Sequence, residues 1–209
     1  MVDPKKLFLY LVTDPVLCGP RGVVETCRLA LEAGVMTVQL RDKNASTRDM
    51  LRVAEELMQL CSAAGALFLV NDRVDVAMAC GAHGVHLGQD DMPVGTARDL
   101  MGRDALIGAS ARTPREAINA WEQGADYIAA NMIFSTATKT DLEGPLGLEA
   151  IRMLKEATPL PLVAIGGIKA SNAAQVIAAG ADCIAVVSSI MAAEDVSQAV
   201  ESLLRSCSI

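Results

Sequence analysis

Two hydrophobic periods alternate along the chain. Short apolar runs recur at Leu7–Val12, Met36–Leu40, Ala66–Val70, Gly84–Leu87, Ala105–Ala109, Tyr127–Ala130, Leu162–Ile165 and Cys183–Val187, each the length of a buried strand. Between them lie longer stretches with helical spacing. Ser46–Ala64, for instance, places Leu51, Ala54, Leu57, Met58 and Cys61 on one stripe. Ser46 ahead of Asp49, and the pair Thr113-Pro114, read as helix starts. Ala33-Gly34, Ala64-Gly65, Gly81-Ala82, Gly124-Ala125 and Gly180-Ala181 read as helix ends, where Gly accepts a left-handed backbone. Eight strands alternating with about eight helices predict parallel pairing through right-handed crossovers. The best fit is an α/β fold, a (β/α)8 barrel spanning residues 1–209 as a single domain, with an open doubly wound sheet as the alternative. The polar stretch Asn131–Pro145 exceeds the ~2–6 residues usual for such a connection, which marks a functional loop.

Composition narrows the function. The 209 residues are 52% hydrophobic, so the chain can bury a core and is not disordered. Lys plus Arg number 18 against 25 for Asp plus Glu, a net charge of −7. An acidic, aromatic-poor chain lacks the footprint of a nucleic-acid binder or of a protein docking on anionic membranes. An anionic ligand must therefore be held by a few local cations. The six cysteines show no C-x-x-C spacing and no apolar run approaches ~18 residues, so a soluble protein of the reducing cytoplasm is expected. A homo-oligomer is compatible with all of this.

In a barrel the working face is the C-terminal end of the strands. Gln39, Arg41 and Lys43 follow the second run and alternate by two, so an extended backbone aims all three the same way, a set suited to a polyphosphate. Asn71-Asp72 follows the third run and Asp91 the fourth. Two carboxylates beside a phosphate-binding set are what Mg2+ uses, although Asp90 next to Asp91 could equally cap a helix. Ser110 ends the fifth run. Gly166-Gly167 and Val187-Ser188 follow the seventh and eighth, where barrels commonly bind phosphate on backbone N–H groups. The rim thus has places for two anions, as two phosphorylated substrates joined at the centre would require. His83 and His86 form H-x-x-H, but nothing completes a zinc site and residues three apart on a strand face opposite ways; both are expected to be structural. No nucleophile elbow or P-loop is present.

Taken in order, LYLVTD (9–14), VQLRDK (38–43), VNDR (70–73), GVHLGQDD (84–91), Gly108–Ser110, TATK (136–139), PLGL (145–148), AIGGI (164–168) and VVSSI (186–190) resemble the thiamine-phosphate synthase family across nearly the whole chain. The resemblance implies a barrel that joins a hydroxymethylpyrimidine diphosphate to a thiazole phosphate with Mg2+, giving thiamine phosphate and pyrophosphate. It implies that Gln39, Leu40, Arg41, Asp42, Lys43, Asn71, Ser110 and Lys139 hold the pyrimidine diphosphate, with Arg41, Lys43, Ser110 and Lys139 acting in catalysis. Thr136, Ala137, Thr138, Gly167, Val187 and Ser188 would hold the thiazole phosphate, and Asp72 and Asp91 the metal. The chain departs from the pattern at Ala130–Ser135, where Asn131-Met132 stands in place of the usual Gly-Pro, which bears on the thiazole side. A tautomerase relative on the same scaffold would be expected to lack part of the set Arg41, Lys43, Asn71, Asp72, Asp91 and Lys139, which is complete here; a binding protein that keeps the barrel without catalysis is distinguished by the absence of pyrophosphate release.

Overall fold

A computed structural model describes residues 7–135 and 144–207. Eight strands, β1 (Leu9–Val12), β2 (Thr37–Leu40), β3 (Leu67–Asn71), β4 (Gly84–Leu87), β5 (Leu106–Ala111), β6 (Tyr127–Asn131), β7 (Leu162–Ile165) and β8 (Cys183–Val186), close into a parallel barrel in sequence order, with β8 pairing back to β1. The open-sheet alternative is thereby excluded. Around the barrel run α1 (Val23–Glu32), α2 (Thr47–Ala64), α3 (Val74–Cys80), α4 (Val94–Met101), α5 (Pro114–Glu122), α6 (Gly147–Ala157), α7 (Ala170–Ala178), α8 (Ser188–Met191) and α9 (Val196–Cys207). The helix starts follow their capping residues: Ser46 Oγ accepts from Asp49 N, and Thr113 Oγ1 from Glu116 N ahead of Pro114.

Strand parity divides the apolar residues into two cores. Leu9, Leu11, Val38, Leu40, Val85, Leu87, Ile128 and Ala130 turn outward and pack under the helices. Their alternates Tyr10, Val12, Leu69, Tyr127, Val163 and Ala185 fill the barrel interior. Gly108 is dictated by this packing, because a Cβ there would lie 2.0 Å from Cζ of Tyr127.

Several strand boundaries move by one or two residues relative to expectation, β3 for instance running to Asn71 and β8 stopping at Val186. β5 and β6 run on through Ala111 and Asn131, since Ser110 pairs with Ala129 and Asn131 with Ile165 in the ladder. Polar side chains did not end these strands because a ladder is made of backbone, and parity sends every second side chain into the mouth. The additional short helix α8 begins at Ser188 immediately after β8.

The base of the barrel carries a repeated clasp. His83, Asp126 and Asp182 each precede an even-numbered strand and follow a Gly-Ala pair. Their backbone N–H groups donate to the carbonyls of Phe68, Ile107 and Leu162 respectively. Their side chains accept from the N–H of those same residues, at 3.0 Å (His83 Nδ1), 2.8 Å (Asp126 Oδ2) and 2.7 Å (Asp182 Oδ2). Asp126 is further paired with Arg98 at 2.6 Å and Asp182 with Lys155 at 2.5 Å. His83 is structural, as expected from the sequence.

Candidate active site

The C-terminal ends of the strands surround one pocket. From the β1–β3 side its lining includes Tyr10, Gln39, Arg41 and Asn71; from β4–β6, His86, Ser110, Asn131 and Met132; from β7–β8, Gly166, Gly167, Val187 and Ser188. Of the residues expected from the sequence, Gln39, Arg41, Asn71, Ser110, Gly167, Val187 and Ser188 therefore meet around a single opening. Thr136, Ala137, Thr138 and Lys139 lie outside the described residues.

On the β2 side, Arg41 is held by its backbone. Thr13 Oγ1 accepts from Arg41 N at 2.8 Å and donates to Arg41 O at 3.2 Å. The expected alternation stops there, because β2 ends at Leu40. Lys43 sits on the loop beyond and pairs with Asp72 at 3.3 Å. The side chain of Leu40 is buried in the outer core, so only its backbone can face a ligand. Asp42 is committed to its own turn, where Oδ1 accepts from the N–H groups of Asn44 and Ala45 at 3.0 Å each. Of these, only Lys43 departs from the alternation, which was extended past the point where the strand ends; Leu40 faces outward as its place beside Gln39 in the strand requires.

Asp72 and Asp91 meet beside Lys43. Burial, and then the neighbouring Asp91 carboxylate, push the Asp72 carboxyl up to about 6, while Lys43 pulls the other way. Asp72 also has a left-handed backbone, φ 64°, with its N–H bonded to His86 O at 2.9 Å. Asp is among the few residues that accept this conformation. Asp91 Oδ2 accepts from Gly88 N at 2.6 Å. Two adjoining, partly desolvated carboxylates with an insufficient share of positive charge are a donor set that fits a hard divalent cation completed by water and ligand oxygens.

Across the mouth, Ser189 Oγ donates to Ile168 O at 2.6 Å and ties the β7 loop to the start of α8. Asn172 Nδ2 holds the Gly167 carbonyl at 3.0 Å. Gly166 and Gly167 have φ of 107° and 64°, and a Cβ on Gly166 would lie 2.4 Å from Met132 Cα. This turn is shaped by the absence of side chains and presents backbone to the pocket.

The floor holds residues that the motif reading did not place in the site. Gln39 Nε2 donates to Tyr10 Oη; Tyr10 and Tyr127 hydroxyls are 3.0 Å apart; His86 Nδ1 is 3.0 Å from Tyr127 Oη and Nε2 3.0 Å from Ser110 Oγ. Burial raises both phenols above their ordinary value, so both stay protonated. His86 is thus corrected from a purely structural residue to one lining the pocket. Parity held the signal: Val85 and Leu87 both face the helices, which leaves His86 facing in. Asn131, noted only as a departure, likewise lines the mouth. Among the described residues no group of three or more His, Cys, Asp and Glu is gathered closely enough to hold a metal.

This arrangement defines a class, a (β/α)8-barrel enzyme whose mouth is built for anionic groups. The chain belongs to the thiamine monophosphate synthase family, whose model matches residues 9–190. It is 49% identical over 195 residues to thiamine-phosphate synthase of Chloroflexus aurantiacus, covering 93% of this chain and 90% of that one. It is 48% identical over 189 residues to the enzyme of the same name from Albidiferax ferrireducens, covering 90% and 86%. The solved thiamine phosphate pyrophosphorylase of Pyrococcus furiosus superposes with a TM-score of 0.89 at 44% identity, covering 98% of this chain and 96% of that one.

Proposed function

We propose that this chain joins a hydroxymethylpyrimidine diphosphate to a thiazole phosphate, forming thiamine phosphate and releasing pyrophosphate. The observation that carries the reading is the pairing, in one mouth, of Arg41 on one side with the Gly166-Gly167 and Val187-Ser188 backbone on the other. One side suits a diphosphate, the other a monophosphate.

In this reading Gln39, Arg41, Asn71 and Ser110 orient the pyrimidine diphosphate, with Lys43 and Lys139 adding positive charge as it leaves. Leu40 and Asp42 contribute through backbone and loop shape. Gly167, Val187 and Ser188, with Thr136, Ala137 and Thr138, hold the thiazole phosphate. The bond between the pyrimidine methylene carbon and the diphosphate oxygen breaks, and its electron pair leaves on pyrophosphate. The thiazole nitrogen lone pair then forms the new C–N bond to that carbon. Arg41 and Ser110 stabilise charge that grows on the leaving oxygens, which is where fixed donors are most effective. Asp72 and Asp91 would hold Mg2+, which when bound offsets the charge of the departing pyrophosphate. No protein nucleophile is required. Cys183, whose thiol lies within the barrel, is pushed by burial to about 12 and stays an inert thiol.

None of the six cysteines is in a disulfide, which supports placement in the reducing cytoplasm. Among the described residues no helix is long and apolar enough to cross a membrane. The test is direct: purified protein is mixed with both phosphorylated substrates and Mg2+, and pyrophosphate and thiamine phosphate are measured. Release in a one-to-one ratio, lost on chelation, is expected. Absence of pyrophosphate under any metal condition overturns the reading.

A further inference from the structure

The row Gln39–Tyr10–Tyr127–His86–Ser110 crosses the barrel floor from β2 to β5 by way of β1, β6 and β4. Its two ends, Gln39 and Ser110, both line the mouth. Between them, Tyr10 and Tyr127 are buried to within 1% exposure and His86 to 8%. Among the described residues, the two phenol hydroxyls hydrogen-bond only within this row. Each phenol has one proton to give, and a neutral imidazole has one nitrogen that gives and one that accepts. In such a row the direction of the first bond fixes every other.

We propose that Tyr10, Tyr127 and His86 are positioning residues that carry hydrogen-bond direction across the floor, so that Ser110 offers its hydroxyl proton to the mouth. Gln39 gives an Nε2 proton to Tyr10. Tyr10 then donates to Tyr127, and Tyr127 to His86 Nδ1. That leaves the imidazole proton on Nε2, where it is given to Ser110 Oγ. Ser110 has then accepted within the protein, and its own proton is left for an anionic oxygen in the pocket. At the other end, Gln39 Oε1 is left as an acceptor. Mixed directions strand a buried hydroxyl proton or leave two lone pairs face to face, and each such defect is costly away from water. With the imidazole neutral, only the complete reversal is also self-consistent. It requires the Gln39 amide turned over, and it makes Ser110 an acceptor that would repel a phosphate. A doubly protonated His86 would donate to both Tyr127 and Ser110, and a proton on Nδ1 would report it. The row therefore sets the sign of the polar group presented at each end. The use of the Ser110 proton rests on the proposed reaction, whereas the direction of the row does not.

The two parts are separated by reading the tautomer in the free protein. Nitrogen-15 spectra of the imidazoles identify the protonated nitrogen, and the chain has only two histidines, so the signals lost in His86→Asn belong to His86. The wild type is expected to carry its proton on Nε2 of His86. Tyr127→Phe removes the donor to Nδ1 while keeping the ring, and should give a mixture of tautomers. Its single-turnover rate should fall by about tenfold, less than the ~100-fold or more typical of deleting a direct donor to the developing charge. Tyr10→Phe, cut one bond further away, should shift the tautomer in the same direction, and it serves if Tyr127→Phe does not fold. A wild-type proton on Nδ1, or an unchanged tautomer in both Phe variants, overturns the proposal. So does a shifted tautomer with a wild-type single-turnover rate. A wild type without any activity refutes the proposed function and leaves the tautomer measurement to decide the row.

Discussion

The Nζ of Lys43 stands 3.3 Å from a carboxylate oxygen of Asp72, although the two residues follow different strands. Lys43 is more than half exposed, at 54%, and Asp72 is 22% exposed, so the lysine only partly offsets the burial of Asp72 and its neighbour Asp91.

One expectation concerns stability. The Asp72 carboxyl is raised from 3.8 to about 6 in the folded chain, so between those values the native state holds its proton more tightly than the unfolded state. Stability from this group is present below the lower value and lost as pH climbs through the upper one. Asp72→Asn, which also tolerates the left-handed backbone, should therefore melt about 2–4 °C above wild type at pH 7 in chelator, corresponding to roughly 1 kcal/mol. The gain should vanish toward pH 4. Paired melting curves at the two pH values check this.

Asp91→Asn should lower turnover at least tenfold at saturating Mg2+ with little change in melting temperature. Its amide oxygen can still accept from Gly88 N, which Asp91 holds at 2.6 Å. Pyrophosphate release measured across a magnesium titration provides the check; wild-type rates would remove Asp91 from the metal site.

Gly167→Ala should disturb the monophosphate side. With φ +64° and a Cβ only 2.7 Å from Ser135 O and 2.8 Å from Phe134 Cβ, alanine must displace the chain. The left-handed backbone alone costs about 1–2 kcal/mol. A rise in KM of about tenfold or more for the thiazole phosphate, with a smaller change for the pyrimidine diphosphate, is the expected kinetic pattern.

Arg98→Ala should separate folding from chemistry. Arg98 pairs with Asp126 at 2.6 Å and donates to the carbonyls of Gly102, Ala105 and Gly124 at the base of the barrel. Its loss should cost about 2–3 kcal/mol, lowering the melting temperature by roughly 4–12 °C while leaving both KM values unchanged. Calorimetry with steady-state kinetics on one preparation tests both halves.

The barrel was legible because its signal is local: every strand is a short apolar run and every crossover a helix with a stripe. Site residues at strand ends, such as Arg41, Asn71 and Ser110, were legible for the same reason. What escaped depends on where a strand stops. Lys43 leaves the alternation because β2 ends at Leu40, and no residue in VQLRDK announces that end. Tyr10, Tyr127 and His86 were hidden differently. Their partners are 41 and 117 residues away along the chain, and only closure of the barrel brings them together. The G-A-[H/D] triplets at 81–83, 124–126 and 180–182 are visible in the sequence, but their purpose emerges only when the preceding strand lies alongside.

Those triplets stitch β3 to β4, β5 to β6 and β7 to β8, and among the described residues no such double stitch joins β4 to β5 or β6 to β7. At the foot of the cylinder, β3 to β8 are thereby grouped into three two-strand staves, while the rim has ties of its own, Thr13 to Arg41 and Ser189 to Ile168. Heat or denaturant should part it along the seams between staves, with the amide hydrogens of Phe68, Ile107 and Leu162 the last to exchange with solvent. The stitching at the foot shares no residue with the loops of the rim, which can therefore change without unpicking it.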